Sequence, residues 1–304
     1  MPHAHAVASK PMDSLNIFGQ PVSIFGVPVE RDTIFSDHKG AYKNRVEKRQ
    51  RRLIVKTTFV KFFLYHDERI LCLTTGYSPI SAMEQVLTGP AFLFFKRALL
   101  IFTDKRILHI PTRFDHSPRG AISQIRYDDC ANITIKGLGL FVEYKNGGQE
   151  FFPYLGLKER KKIKTLLDSA ALKPKEASSV QERLYLCPSC TNVLNADKSF
   201  CPTCKMEFKS SLKAKLSSLL IPGGGYLYNR LTLPGVAVGL LETALLVYLA
   251  YNLAALKSGM PINLGMTALV AALLIGEKII AAFHSQQLTH DFIPEEKDFA
   301  MRKI

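Results

Sequence analysis

At 304 residues the chain has room for two or three small domains. With 47% hydrophobic and 22% charged residues it is neither a disordered chain nor a pure membrane transporter. Forty Lys and Arg against 26 Asp and Glu give a net charge of +14, which suits an anionic partner, either nucleic acid or the acidic face of a membrane.

Residues 1–40 form an N-terminal extension. Within it Asn16-Ile17-Phe18-Gly19-Gln20-Pro21-Val22 is echoed by Ser23-Ile24-Phe25-Gly26-Val27-Pro28-Val29, a repeat of IFGxPV. The repeat is too rich in Gly and Pro for a helix, and suits either a docking strand on a β domain or a partner motif. Residues 41–66 are a basic helix or lead-in, in which Lys43, Arg45, Lys48, Arg49, Arg51, Arg52, Lys56 and Lys61 are relieved only by Glu47. Three readings stay open for this run: a solvated helix face, contact with anionic lipid headgroups, or contact with nucleic acid. Near an anionic leaflet each basic residue contributes about 1 kcal/mol.

Residues 67–172 change to short strands. Residues 68–75, 91–95 and 98–102 read as strands, the last two buried, and Thr103-Asp104-Lys105-Arg106 turns the chain back into Ile107-Leu108-His109-Ile110. Ile133 and Ile135 alternate with Thr134 and Lys136, Leu140, Val142 and Tyr144 alternate with Phe141 and Glu143, and Asn146-Gly147 supplies a hairpin turn. An amphipathic helix over residues 157–171 closes the series, and its Lys158, Arg160, Lys161, Lys162 and Lys164 admit the same three readings as the first basic run. Phe102-Thr103-Asp104-Lys105-Arg106-Ile107-Leu108 resembles the LTDrRL hairpin of bacterial pleckstrin-homology (PH) or GRAM-like domains. The resemblance implies a β-sandwich ending in one helix that binds lipid headgroups or proteins.

Residues 173–182 are a polar linker. In residues 183–208, Cys187-Pro-Ser-Cys190 and Cys201-Pro-Thr-Cys204 are two CxxC knuckles ten residues apart, with Asn195-Ala196-Asp197 as the turn between them. Each knuckle lets two thiolates converge on one cation, and together they complete a tetrahedral zinc shell with no position left for a catalytic water. A redox dithiol pair and a disulfide-bonded ribbon are the rivals. A reducing cytoplasmic setting disfavours the disulfide, and the lack of a thioredoxin-like pattern disfavours the redox pair. The segment is similar to short zinc ribbons of pattern CPxCG…F-CPxCG, with Phe200 at the aromatic position and Thr191 and Lys205 in place of the usual glycines. Cys72 and Cys130 read as small buried residues.

Residues 209–228 read as an interfacial amphipathic segment, with Leu212, Leu216, Leu219 and Leu220 on one helical face and Lys209 and Lys213 on another. Residues 233–256 and 262–283 are apolar enough, and long enough, for two transmembrane helices joined by Lys257-Ser258-Gly259-Met260-Pro261. A buried hairpin in a soluble domain is the alternative. Thr232 can cap the first helix, Tyr226, Tyr228, Tyr248 and Tyr251 suit aromatic belts, and Gly235 and Gly239 would let a second helix approach closely. The opening Pro222, Gly223, Gly225 and Tyr228 resemble small bacterial hairpin membrane domains of pattern P-G-x-G-x-x-Y, which implies an anchor in a bacterial inner membrane. Residues 1–230 carry 35 of the basic and 20 of the acidic side chains, whereas the last 74 residues carry 5 and 6. Basic residues flank the spans at both outer ends, including a tail over residues 284–304, so both termini are expected in the cytoplasm.

Glu242 lies about 13 Å into the first span, and Lys278 and Glu277 about 8 and 9 Å from the same side of the second. Glu242 and Lys278 are therefore expected to meet as an intramembrane charge pair, since an unpaired central charge costs about 2.5–3.5 kcal/mol. The candidate sites are thus the zinc ligands Cys187, Cys190, Cys201 and Cys204; the lipid contacts Arg45, Lys48, Arg49, Arg51, Arg52, Lys161 and Lys162; and the pair Glu242–Lys278.

The expected architecture is a multi-domain membrane protein with an α+β PH-like β-sandwich, a small zinc ribbon and a C-terminal transmembrane helical hairpin. No nucleophile–base pair, phosphate loop or open metal site is evident, so the expected function is a non-enzymatic, membrane-anchored cytoplasmic adaptor with an unidentified protein partner. Two alternatives stand beside it. One is a membrane-tethered regulator that binds nucleic acid, although only Lys198, Lys205 and Lys209 lie near the ribbon. The other is a homo-oligomeric transport subunit using Glu242 and Glu277.

Overall fold

The computed structural model describes residues 21–81, 84–86, 89, 95–168, 181–195 and 199–295. Residues 16–20 of the first IFGxPV copy, the strand expected over residues 91–94, most of the linker, the turn at Ala196-Asp197, Lys198 and the tail beyond residue 295 lie outside the described residues.

The chain folds into mixed sheets followed by C-terminal helices. The end of the first copy and the second copy of the repeat together form a hairpin of β1 (Pro21–Ile24) and β2 (Val27–Glu30). Its Phe25-Gly26 turn has φ of 52° and 79°, the left-handed geometry that matches strand twist. β2 pairs in parallel with β3 (Ile70–Tyr77), so the hairpin extends the β domain. Antiparallel pairing then continues through β4 (Arg97–Thr103), β5 (Arg106–Pro111) and β6 (Ile122–Arg126). A late strand, Leu184–Leu186, closes this sheet on β6, giving seven strands. A second sheet has three strands, β7 (Cys130–Lys136), β8 (Gly139–Tyr144) and β9 (Gln149–Phe152). The Leu184–Leu186 strand is numbered β10.

The large sheet is buried on both faces. On one side Leu100, Phe102 and Ile107 pack with Val142 and Phe152 of the small sheet and with Ile163 of a helix at Leu157–Asp168. On the other, Leu99, Ile101, Leu108 and Ile110 pack under two N-terminal helices, α1 (Arg31–Ile34) and α2 (Asn44–Lys56), and the 3-10 turn at Thr58–Phe62. Burial on both faces explains why β4 and β5 read as unbroken apolar runs rather than alternating ones. The Leu157–Asp168 helix is α3. Phe95, expected in a strand, is instead a helical residue just before β4.

The β4–β5 turn shows what its TDKR sequence does. The Thr103 hydroxyl accepts the N–H groups of Lys105 and Arg106 at 3.1 and 3.0 Å and donates to Glu68 at 2.7 Å. The Arg106 guanidinium is buried against the same carboxylate at 2.9 and 2.7 Å and lies over the Tyr65 ring at 3.9 Å. A paired buried guanidinium tolerates loss of its partner poorly. Glu68→Ala should destabilise the β domain by about 3–5 kcal/mol, read by thermal unfolding of the purified protein.

After the cysteine segment come α4 (Ser211–Leu220), α5 (Gly224–Tyr228), α6 (Thr232–Lys257) and α7 (Leu264–Thr289). The last two are long and apolar enough to cross a membrane, and only 11% of the most apolar stretch of each is buried, unlike the core helix of a soluble protein. The first helical residue of α6 is Thr232 itself, with Leu231 at the cap, while Asn263 caps α7 by accepting the Met266 N–H at 3.0 Å. α7 runs six residues past the end expected at Phe283. Those extra turns are covered by the rest of the protein, with His284, Ser285, Leu288 and Thr289 buried.

Candidate metal centre and the charged hairpin

Each CxxC knuckle is closed by the same pair of backbone hydrogen bonds. In the first, Thr191 N–H reaches Cys187 O at 2.9 Å and Cys187 N–H reaches Asn192 O at 2.8 Å. In the second, Lys205 N–H reaches Cys201 O at 3.0 Å and Cys201 N–H reaches Met206 O at 2.8 Å. Thr191 and Lys205 take φ of 62° and 61°, the conformation usually given to glycine there. The knuckles are therefore as tight as glycine would make them, at a cost of about 1 kcal/mol or more at each site.

The outcome is convergence. The Sγ atoms of Cys187, Cys190, Cys201 and Cys204 lie within 4.8 Å of one another, with Cys187–Cys204 and Cys190–Cys201 at 3.5 Å. No pair is joined as a disulfide. A tetrahedral shell with metal–sulfur bonds near 2.3 Å has edges of about 3.8 Å, so four thiolates in this arrangement could hold a metal ion. Burial opposes the Cys190 thiolate, but hydrogen bonds from the Asn192 backbone and side chain outweigh it and bring the thiol down to about 7. Cys187, more deeply set, is pushed up by burial. Four acceptor sulfurs and a partly ionised thiol are the chemistry of a soft cation site.

The cysteine cluster is also a joint. Cys187, Cys201, Leu194 and Phe208 form a small core, against which Phe292, from the segment after α7, is packed. The Phe292 ring lies 4.9 Å from Tyr185 and 5.5 Å from Phe208. The sequence gives Phe200 the aromatic role, yet that ring is exposed with Lys205 over it. The cluster therefore touches β10 on one side and the hairpin on the other.

Within the hairpin, Lys278 Nζ donates to Glu242 Oε2 at 2.7 Å and to the Ser218 carbonyl at 2.8 Å. Glu242, 1% exposed, also accepts the Gly223 N–H at 3.0 Å. The pair thus serves the backbone on either side of a break between α4 and α5. Gly223, at φ 64°, lies where a Cβ would overlap the Gly235 carbonyl, and the Pro222 carbonyl sits 3.0 Å from where a Gly239 Cβ would be. The Gly235/Gly239 face expected to receive a second helix is therefore covered by the Pro222-Gly223 backbone.

The basic candidates separate by burial. Lys162 is corrected: at 7% exposure it donates to the carbonyls of Thr33, Ile34 and Ser36, and cannot reach a lipid. Arg49 pairs with Glu159 and reaches Thr75, and Arg51 pairs with Glu47 at 2.7 Å. Arg45, Lys48 and Arg52 project from α2 into solvent without an ion-pair partner among the described residues, as does Lys161 from α3. Sequence reasoning missed the residues that fasten the two halves together. Arg119, fully buried with its guanidinium brought down to about 10 by burial, donates to the carbonyls of Phe95 at 3.4 Å and Asn229 at 3.2 Å. Phe95 stacks on Tyr226 at 5.1 Å and so ties the halves together, while Tyr228 donates to Glu295 at 2.9 Å within the C-terminal part, so neither ring faces an aromatic belt. Only the tyrosines gave a signal, and it pointed elsewhere.

No family model and no curated protein matches the chain. Among solved structures it is similar to the crystal structure of the C-terminal domain of an unknown protein from Leishmania infantum, with 18% identity, 42% of this chain and 99% of that chain covered, and a TM-score of 0.26. So slight a likeness carries no argument about fold or function.

If the pair holds the break, Glu242→Gln and Lys278→Met should each cost about 3–5 kcal/mol, because each strands the other partner in an apolar setting. The double variant should recover part of that loss. Thermal unfolding in detergent reads all three, and single variants as stable as the parent would remove the pair from this role.

Proposed function

We propose that the protein is a non-enzymatic, membrane-anchored adaptor. A PH-like domain and a structural zinc ribbon would lie on the cytoplasmic side, held by a two-helix anchor. The observation that carries this reading is the exposure of α6 and α7 beside a folded polar body: two 26-residue apolar helices with bare sides are suited to lipid and unsuited to water. Four strands (β3 to β6) facing three (β7 to β9), with α3 against them, agree in order with a pleckstrin-homology or GRAM-like sandwich.

Zinc is the metal best matched to a closed set of four cysteine thiolates, and a ribbon this small needs it for stability. The purified protein should carry one zinc per chain by elemental analysis. Cys201→Ala should lose the metal and, with it, resistance of residues 183–208 to limited proteolysis. Protein that is metal-free yet equally resistant would argue against a structural ion.

The exposed Arg45, Lys48, Arg52 and Lys161 give the adaptor a basic surface for an anionic headgroup. Full-length protein reconstituted in neutral vesicles should capture protein-free anionic vesicles, and capture should fall as salt rises. The triple variant Arg45→Glu, Lys48→Glu, Arg52→Glu should abolish it. Indifference to lipid charge would sink headgroup binding.

A further inference from the structure

The segment between the metal cluster and α6 does not lie across the helices; it runs along them. Lys209 N–H bonds the Ile293 carbonyl at 2.9 Å, beyond the end of α7. One helix length later, Ser218 donates to Ala281 O at 3.4 Å and its own carbonyl takes the Lys278 ammonium. α4 is therefore antiparallel to α7, matching Ala214 and Ser218 to it over its length. The chain then breaks at Pro222-Gly223 and returns through α5. Tyr228 ends beside the entry point, its hydroxyl accepting the Ser210 N–H at 3.0 Å and its carbonyl taking Lys209. Entry and exit are adjacent, and the tip touches Glu242, ten residues inside α6.

On the side of α4 away from α7, Leu212, Leu216, Leu219 and Leu220 are exposed, continuing into Ile221. α6 likewise exposes apolar side chains, such as Leu233, Val236 and Leu240. We infer that residues 211–228 enter the bilayer as a re-entrant helical hairpin, its leucine stripe against lipid acyl chains and its broken tip sealed by Glu242 and Lys278. This rests on the reading of α6 and α7 as membrane spans.

The physical case is one of accounting for backbone groups. A chain that turns within hydrocarbon leaves the last carbonyls of one helix and the first N–H groups of the next without water. Lys278 takes a last-turn carbonyl of α4, and Glu242 takes the N–H at the start of α5. A helix lying flat at the headgroups would have water at its ends and would need neither charge. The two intramembrane charges and the glycine-rich break thus explain each other.

The chain contains no tryptophan, so one introduced indole is an unambiguous reporter. Leu212→Trp, Leu219→Trp, Leu240→Trp and Val247→Trp, all at exposed positions, would be made singly in the full chain and reconstituted in vesicles of lipids brominated near the headgroup or deep in the acyl chain. With about 1.5 Å of rise per residue, positions 212 and 219 should differ in depth by ~10 Å. Leu212→Trp should be quenched mainly by the shallow bromines, and Leu219→Trp mainly by the deep ones, to the same extent as Leu240→Trp. Equal, shallow quenching at 212 and 219, with deep quenching at 247, would overturn the re-entrant hairpin and leave the spans standing. Failure of either lipid to quench Val247→Trp would take down the spans, and the hairpin with them.

Discussion

Four sulfur atoms brought within 4.8 Å of one another fix the junction on which the rest of the molecule depends. The segment that bears them supplies the last strand of the large sheet, leads directly into the first C-terminal helix, and receives Phe292 from beyond the last one. Its own apolar core is four buried side chains, too little to hold such a joint by burial alone. Convergence of the four cysteines therefore does more than shape this short segment. It sets where the sheet ends and where the helical hairpin begins.

Around that joint, the polar groups taken out of water are matched mostly to backbone atoms. Arg119 bridges carbonyls from two halves of the chain, and Lys162 gathers three carbonyls at the end of α1. Asn229, fully buried, donates to Gly225 O and Ser285 O, each at 3.0 Å. A buried charge held by fixed carbonyls loses less to reorganisation than one held by a flexible partner, and breaking it leaves several groups unsatisfied. The sheets and the hairpin are consequently tied by directional contacts as well as by apolar ones such as Phe95 on Tyr226.

What the sequence made legible follows from local chemistry. The cysteine spacing, the two long apolar runs and the polar β4–β5 turn each carry their meaning within a few residues. The opposition of Glu242 and Lys278 followed from helix rise alone. The repeat was legible as a strand that could dock on the β domain, and its second copy does so through β2. The helices of residues 31–66 were not legible as part of that domain, because the strands they cover follow them in the chain and a basic helix does not announce its buried face. Lys162 looked like its neighbours in a basic helix; only its position on the inward face distinguishes it. Gly235 and Gly239 correctly signalled a close backbone approach, but the spacing says nothing about which backbone comes near.

The late arrival of β10 bears on how the chain emerges from the ribosome. β6 is complete at Arg126, yet its outer edge finds its partner only at Leu184–Leu186, and Arg119 finds one of its carbonyls only at Asn229. Until then a nascent chain carries an open strand edge next to an uncompensated buried cation, the type of surface on which unfinished chains associate. Folding of the first half is thus coupled to arrival of the second, and a clean cut between the sheets and the C-terminal helices would strip one of them of its closing contacts.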